Sequence, residues 1–292
     1  MKKLKTNDEK KFITIMLLLL AFLFISPLLL TFTGSFMKNS EILGKFFELA
    51  DKPLGFGKSI LYFFLRFIPD TIYSKNYFEV LVNSNQFLKM LWNSVFLVLP
   101  IVAGQVLVSA MAAFVFAKVK FKGRETIFFI YIIMMMMPFQ VTLVPNYFVL
   151  DWLGLLDTRG AIILPGVFSA FGVFLLRQFM MSIPDEYMES ARIDGCSLVT
   201  IFFKVILPVS KGGIASLAIL SFIDHWNMVE QPLIFLDNVG KHPLSIYLAS
   251  VKSAEMGVLF AAGFIYLVPV VLMFIYGENY LIEGVSNSAI KS

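Results

Sequence analysis

The sequence predicts an all-α membrane protein with six transmembrane helices, and three observations carry that prediction. Hydrophobic residues make up 58% of the chain and charged residues 15%, with Phe and Met in excess, a balance outside that of soluble domains. Charge-free windows run Phe12–Met37, Met90–Ala117, Thr126–Leu150, Gly160–Leu176, Gly212–Ile223 and Met256–Gly277. Between the fourth and fifth windows lies a charged, helix-forming stretch with a glycine break, ESARIDGCSLVTIFFKVILP at Glu189–Pro208.

A spanning helix needs roughly 20 apolar residues. The first span, residues 12–32, follows five lysines but is too long for a signal-peptide core and has no small-residue cleavage site behind it, so it stays as a membrane helix. An external loop follows at 33–89. The second and third spans take residues 90–117 and 126–150; Pro138 and Pro145 bracket Gln140 and can break the third locally, exposing backbone that a cavity or neighbour must satisfy. The fourth, 160–177, sits at the lower length limit. The fifth, 206–224, reaches full length only by extending back past Lys211, whose ammonium snorkels at the end. The sixth covers 256–277, leaving 1–11 and 278–292 as tails of one transmembrane domain, 12–277.

Lys and Arg in the loops set the orientation. With the N-terminus inside, the inner segments hold Lys2, Lys3, Lys5, Lys10 and Lys11, then Lys118, Lys120, Lys122 and Arg124, then Arg177, Arg192, Lys204 and Lys211. The short outer loops hold only Arg159, Lys241 and Lys252. Both termini are therefore expected inside, and the net charge of +4 needs no nucleic acid to explain it. Cys196 is the only cysteine, so there is no intrachain disulfide.

Ionisable residues deep in a span mark proton relays and ion sites. The five clear windows have none, and the only interior candidate, Lys211 of the extended fifth span, lies near a span end, which weighs against a proton-coupled carrier or an ion pump. The spans instead hold uncharged polarity: Asn93, Gln105, Gln140 and Asn146. Hydrogen bonding between helices explains such residues, and so does a pathway for a neutral, hydroxyl-rich solute. Met134–Met137 reads as flexible packing rather than a metal site. GFGKS at Gly55–Ser59 fails as a phosphate loop because its first glycine falls on Lys52. His225 and His242 lack ligand-like spacing with carboxylates. No catalytic or metal constellation emerges, so any energy source belongs to another chain.

The stretch around Glu189 is a hook. Pro184 suits a first helical turn, and Asp185 and Glu186 put negative charge at the positive end of the dipole. Tyr187, Met188 and Ala191 share a face while Glu186, Glu189 and Arg192 stay hydrated. Gly195 ends the helix as a C′ glycine, and Ser197 caps the next, which runs to Pro208. Two short helices joined by a bend, with one apolar face toward the cytoplasm, favour docking into a partner's groove.

At these residues the chain resembles a membrane permease of bacterial ATP-binding-cassette (ABC) importers, of the maltose-transporter type that takes up carbohydrates. The family's cytoplasmic signature is E-A-A, three residues, G, then I-x-L-P. It reads here as Glu189-Ser190-Ala191, Asp194-Gly195 and Val205-Ile206-Leu207-Pro208, departing at Ser190, Cys196 and Lys211-Gly212. NSVFLVLPIVAGQVLVSAMAAFVFAKVKFKGRE at Asn93–Glu125 is similar to the second span and first inner loop of such permeases. MPFQVTLVPNYFVLDWLGLLDTRGAIILP at Met137–Pro165 is similar to their third span and outer turn, WNMVEQPL at Trp226–Leu233 to their WN-x-x-x-x-PL, and YLIEGVSNSAIKS at Tyr280–Ser292 to their tail. Glu41–Arg66, with apolar Ile60–Phe64, is least like the family and reads as an external insertion.

The resemblance implies a permease subunit of the bacterial cytoplasmic membrane that works beside a second homologous permease, more often a different chain than a copy. It implies two ATP-binding-cassette subunits docked on the hooks and an external solute-binding protein delivering a sugar, within membrane lipid. ATP and Mg would sit on the partner subunits, and this chain would bind no cofactor. Glu186, Glu189, Ser190, Ala191, Arg192, Asp194, Gly195 and Pro208 are the expected coupling residues in an inner loop at 178–208. Gln140 and Asn146 are pathway candidates; Trp226 and Asn227 frame the outer mouth, or Trp226 is an interfacial belt residue. The alternatives are a secondary transporter or channel for a small polar solute and, within the ABC class, a permease for a polyol phosphate, sugar acid or peptide.

Overall fold

The computed structural model describes residues 7–46, 68–250 and 255–289, and among these it contains helices and turns but no strand. α1 (Asn7–Gly34) and α2 (Asn39–Phe46) come first, then α3 (Lys75–Phe78), which runs on as a π-turn at Glu79–Asn83. α4 (Asn85–Lys118), α5 (Arg124–Met135), α6 (Phe139–Trp152), α7 (Gly160–Val167) and α8 (Ala170–Ser182) follow. The hook holds α9 (Glu186–Ile193) and α10 (Leu198–Ile201), which continues through a π-turn at Phe202–Ile206 to Leu207–Val209. α11 (Lys211–Trp226), α12 (Glu230–Phe235), α13 (Leu244–Ser250) and α14 (Met256–Ala289) complete the chain.

Among the described residues, four segments are long and apolar enough to cross a membrane unbroken: Lys10–Gly34, Asn85–Lys118, Gly160–Ser182 and Met256–Glu278. Two more cross only as bent pairs, α5 with α6 at 100° and α10 with α11 at 76°. Six spans is therefore the count when each bent pair is one span, and two of the six are broken. The break in the third is sharper than a local kink. Pro138 lacks an N–H and disfavours helix at Met137, and its own backbone is extended (ψ 138°) just before α6. Pro145, inside α6, leaves that helix intact.

The chain divides into two compact units, one of residues 1–88 and 248–268, the other of residues 89–247 and 269–292. In the first, α1 buries none of its most apolar window, so its Leu and Phe side chains need lipid or another chain to cover them. The segment after residue 68 returns to the end of α1. There the Asn76 amide donates to the carbonyls of Ser35 (2.9 Å) and Met37 (2.8 Å), and the Tyr73 N–H donates to Phe36 O (2.8 Å). Lys45 Nζ binds both Glu41 (2.7 Å) and Asp70 (2.8 Å). Part of the expected external insertion, residues 47–66 with Ile60–Phe64, lies outside the described residues, as do Lys2, Lys3, Lys5 and Lys252.

In the second unit close packing depends on small residues, as is usual where lipid replaces water as the competitor. A Cβ on Gly172 of α8 would come 2.5 Å from Ser109 Oγ of α4, and one on Gly213 of α11 would come 2.6 Å from the Phe179 ring. Arg177, expected in an inner loop, is 6% exposed within α8. Its guanidinium lies 3.8 Å over the Phe128 ring, bonds Phe116 O (3.2 Å) and pairs with Glu125 (2.9 Å). This clamps α5 to α8.

Candidate functional site

The hook is anchored before it begins. Lys118, at the last residue of α4, sends its ammonium to Ile183 O (2.5 Å) and to Asp185 Oδ1 (2.6 Å). That partner holds the Asp185 carboxyl below the usual carboxylate range, first through the hydrogen bond and then through the charge. Asp185 stands at the N-cap of α9 but makes no side-chain cap bond, and Pro184 lies ahead of the helix rather than in its first turn. α9 ends as expected. Gly195 has φ +78°, its N–H donates to Arg192 O (3.0 Å), and Cys196 N–H donates to Ala191 O (3.0 Å). These two bonds form a Schellman cap. No atom lies within 4 Å of a Cβ built on Gly195, so glycine is needed there for its backbone angle and not for space. Ser197 Oγ then accepts from Thr200 N–H (3.2 Å), capping α10.

The apolar face of α9 corrects an expectation. Met188 (4% exposed) and Ala191 (9%) point inward, packed with Ala110 and Phe114 of α4, Leu176 and Met180 of α8 and Ile201 of α10. The hook's own spans use that face, so Ala191 anchors the hook and does not present it. The outward surface is mixed. Glu186, Glu189, Ser190, Arg192, Asp194 and Gly195 are exposed together, with Tyr187, Ile193 and Val199 as apolar members. Pro208, also exposed, sits just before the 76° bend. The exposed rim is thus separated from three spans only by the buried Met188–Ala191 seam.

A second site lies where α6 starts. A cavity of about 290 Å³ is lined by Gln105 of α4, Phe139, Thr142 and Asn146 of α6, Phe168 and Ser169 between α7 and α8, and Asp224 and His225 at the end of α11. Adjoining it is a wider opening of about 550 Å³, which shares Phe139, Asp224, His225, Met228 and Gln231 and adds Gln140, Asn227 and Glu230. Gln105 lies about midway along α4 between Asn93 and Lys118, roughly 18–20 Å of helix from each. The cavity is therefore near the middle of the span, the depth at which transporters with broken helices hold their solutes.

Its polar groups are organised. Gln105 is 5% exposed and its Oε1 accepts from the Ser221 hydroxyl. His225 Nδ1 lies 2.8 Å from Ser221 O; a carbonyl only accepts, so Nδ1 carries the proton. Gln140 Nε2 donates to the Glu230 carboxylate at 3.3 Å. Gln105, Gln140 and Asn146 thus meet at one place, whereas Asn93 does not. The Asn93 amide donates to Gly240 O (2.8 Å) and His242 O (3.1 Å), pinning a loop at the opposite end of α4 from the hook. In that loop Lys241 pairs with Asp157 (2.5 Å), whose backbone has φ +55°, and Asp157 Oδ1 accepts from Asn238 N–H (3.1 Å). Lys241 first, then that backbone bond, hold the Asp157 carboxyl below its ordinary range.

Trp226 is corrected too. At 2% exposure, stacked on Phe222 (centroids 5.3 Å, 18° between planes), it lies behind the rim and belongs neither to a mouth nor to a belt. Asn227 is exposed and lines the opening. The sequence reading missed Asp224, Glu230 and Gln231 as lining residues, and it weighed His225 only as a metal ligand. A signal was present: Asp224-His225 closes an apolar run, and a charge there needs a polar destination.

The profile of the family described as binding-protein-dependent transport system inner membrane component matches residues 105–280, which include both hook and cavity. The chain belongs to that family. It is 30% identical over 282 residues to the arabinooligosaccharides transport system permease protein AraQ of Halalkalibacterium halodurans, covering 96% of this chain and 95% of that one. It is 32% identical over 234 residues to the sn-glycerol-3-phosphate transport system permease protein UgpE of Shigella flexneri, covering 76% and 82%. Among solved structures, a bacterial ABC transporter involved in the import of the acidic polysaccharide alginate superposes with TM-score 0.79 at 21% identity, covering 96% of this chain and 99% of that one. A second structure, of a bacterial alginate ABC transporter in complex with an alginate pentasaccharide-bound periplasmic protein, gives 0.57 at 16% identity over 95% and 96%. The fold is that of an ABC importer permease, an inner-membrane component of a transport system.

Proposed function

We propose that this chain is the permease subunit of an ATP-driven importer that passes a carbohydrate across the bacterial cytoplasmic membrane. The observation that carries the reading is a single continuous unit holding a capped, outward-facing hook at one end of α4 and a polar cavity halfway along it. The end-to-end similarity to a permease named for arabinooligosaccharides supports a sugar. The similarity to permeases named for sn-glycerol 3-phosphate keeps a polyol phosphate as the second reading.

In this reading the hook end faces the cytoplasm, with both termini. Glu186, Glu189, Ser190, Arg192, Asp194, Gly195 and Pro208 form the surface on which one of two ATP-binding-cassette subunits docks. ATP and Mg sit on those subunits, and this chain performs no chemistry. When the ATPase pair closes, α9 moves; Met188 and Ala191 carry the motion into α4 and α8, and the bends before α6 and α11 let the cavity change the side it opens to. A second, homologous permease, a different chain, supplies the other half of the pathway. An external solute-binding protein delivers the sugar near the Asp157–Lys241 loop.

The test is uptake of radiolabelled arabinotriose by cells expressing the complete importer. Uptake should stop when ATP is depleted and persist when the proton gradient is collapsed. The reverse pattern would identify a secondary transporter.

A further inference from the structure

The two adjoining openings carry a one-sided charge pattern. Their titratable linings are Asp224 and Glu230 with His225, and among the described residues neither opening is lined by a Lys or Arg. Glu230 has a particular place. It holds the amide of Gln140, the second residue of α6, so its carboxylate stands at the positive end of that fourteen-residue helix. An anionic solute entering between broken helices would look for that helix end. Here a carboxylate of the chain itself stands beside that end, held through the Gln140 side chain.

The remaining groups suit hydroxyls. Gln105 is 5% exposed and has its Oε1 held by Ser221, so it offers donors from Nε2. Asn146 and Thr142 add donors and acceptors, and Phe139 and Phe168 add apolar ring faces on which the C–H side of a sugar can rest. Carboxylates accept strongly from paired hydroxyls and repel phosphate or uronate, the more so in a low-dielectric cleft that concentrates the field.

We propose that Asp224 and Glu230 make this cavity a filter that accepts uncharged, hydroxyl-rich solutes and turns away anionic ones. This deepens the carbohydrate reading and rests on it for the identity of the solute; the charge of the cavity does not depend on it.

Two measurements on the assembled importer test the proposal. In the first, Asn146→Cys is placed in a Cys196→Ser background, and its rates of modification by a cationic and an anionic methanethiosulfonate are followed by the mass of this chain. Adding Glu230→Gln should lower the cationic-to-anionic rate ratio at least threefold, and adding Asp224→Asn as well at least tenfold. Ratios unchanged within twofold would overturn the filter, whatever solute the importer carries. The second compares uptake of arabinotriose with that of its aldonate, which differs by one terminal carboxylate. The binding protein is the same throughout, so a change in the ratio between wild type and variant reads the permease alone. The aldonate-to-neutral ratio should rise at least tenfold in the double variant; equal loss of both probes would overturn the proposal. If the wild type imports neither probe, the carbohydrate reading fails, and the thiol ratios still decide the filter.

Discussion

The hook and the cavity lie along the same helix, α4, yet they are built by opposite devices. In the hook the backbone closes on itself: a Schellman cap at Gly195 is followed by a hydroxyl cap at Ser197, and Lys118 ties the approach. Its shape is set locally, within about twenty residues, and its buried seam then fastens it to the spans. The cavity exists because helices stop. α6 starts afresh after a 100° bend, and α11 ends at Trp226, so side chains far apart in sequence face one space. The contrast fits the roles proposed for them: a coupling element gains from being set by local geometry, whereas a solute site in a membrane needs helices interrupted where polar groups can reach it. Mutations at the hook should therefore act through backbone geometry, and those at the cavity through charge and packing.

The largest effect expected on the hook side comes from Gly195→Val. A β-branched residue at φ +78° is strongly disfavoured although there is room for it, so the turn between α9 and α10 must rearrange. Solute-stimulated ATP hydrolysis should be abolished while membrane insertion stays normal. Gly195→Asn, which tolerates this backbone region, should recover much of the activity. If valine keeps full stimulation, or asparagine does no better than valine, the hook does not work through its cap.

How much of this was legible in the sequence follows from the same contrast. Gly195, Ser197 and the glutamates of α9 are read by local rules, and the structure has the cap at Gly195 and the cap at Ser197 where spacing put them. The six apolar windows were legible for the same reason, since span length is a property of contiguous sequence. The direction of the apolar face of α9 was not. Met188 and Ala191 could equally meet a partner, and only packing with α4 and α8 decides that they face inward. Cavity membership depends on which helices cross, so Glu230 was invisible, Asp224 showed only as a charge closing an apolar run, and Gln140 and Asn146 were only candidates. Trp226 shows the limit most plainly: a tryptophan at the end of a span suits a membrane interface, and only the stacked Phe222 shows it to be core.

That reassignment yields the intermediate prediction. Trp226→Ala should destabilise the detergent-extracted protein by on the order of 3 kcal/mol, as emptying a buried aromatic site does, and its loss of transport should track its loss of folded protein. Asn227→Ala, exposed on the rim of the opening, should leave the unfolding temperature nearly unchanged and lower transport on its own. Thermal unfolding followed beside uptake separates the two. An unfolding temperature for Trp226→Ala equal to wild type would return that residue to the mouth.

The smallest effect is the most local one, and it tests whether the hook's anchor is electrostatic. Lys118 holds the Asp185 carboxyl below its unfolded value, so the folded protein binds a proton there less readily than the unfolded chain. By linkage the pair's contribution is fully present above the unfolded carboxylate value of about 4 and is lost as pH falls through the lower folded value. Asp185→Asn keeps an acceptor for Lys118 but removes the charge. The Asp185 side chain is 73% exposed, so water and salt screen much of the attraction. Hydrogen exchange of the amides around Ile183–Met188 should show slightly faster opening in the variant, by a margin that stays constant from pH 8 to about 5 and closes below about 4. Raising the salt to about 1 M, where the screening length is about 3 Å, should narrow the same margin. No margin at any pH, with wild type and variant opening alike, would mean that the anchor is the Lys118–Ile183 carbonyl bond, with Asp185 a bystander.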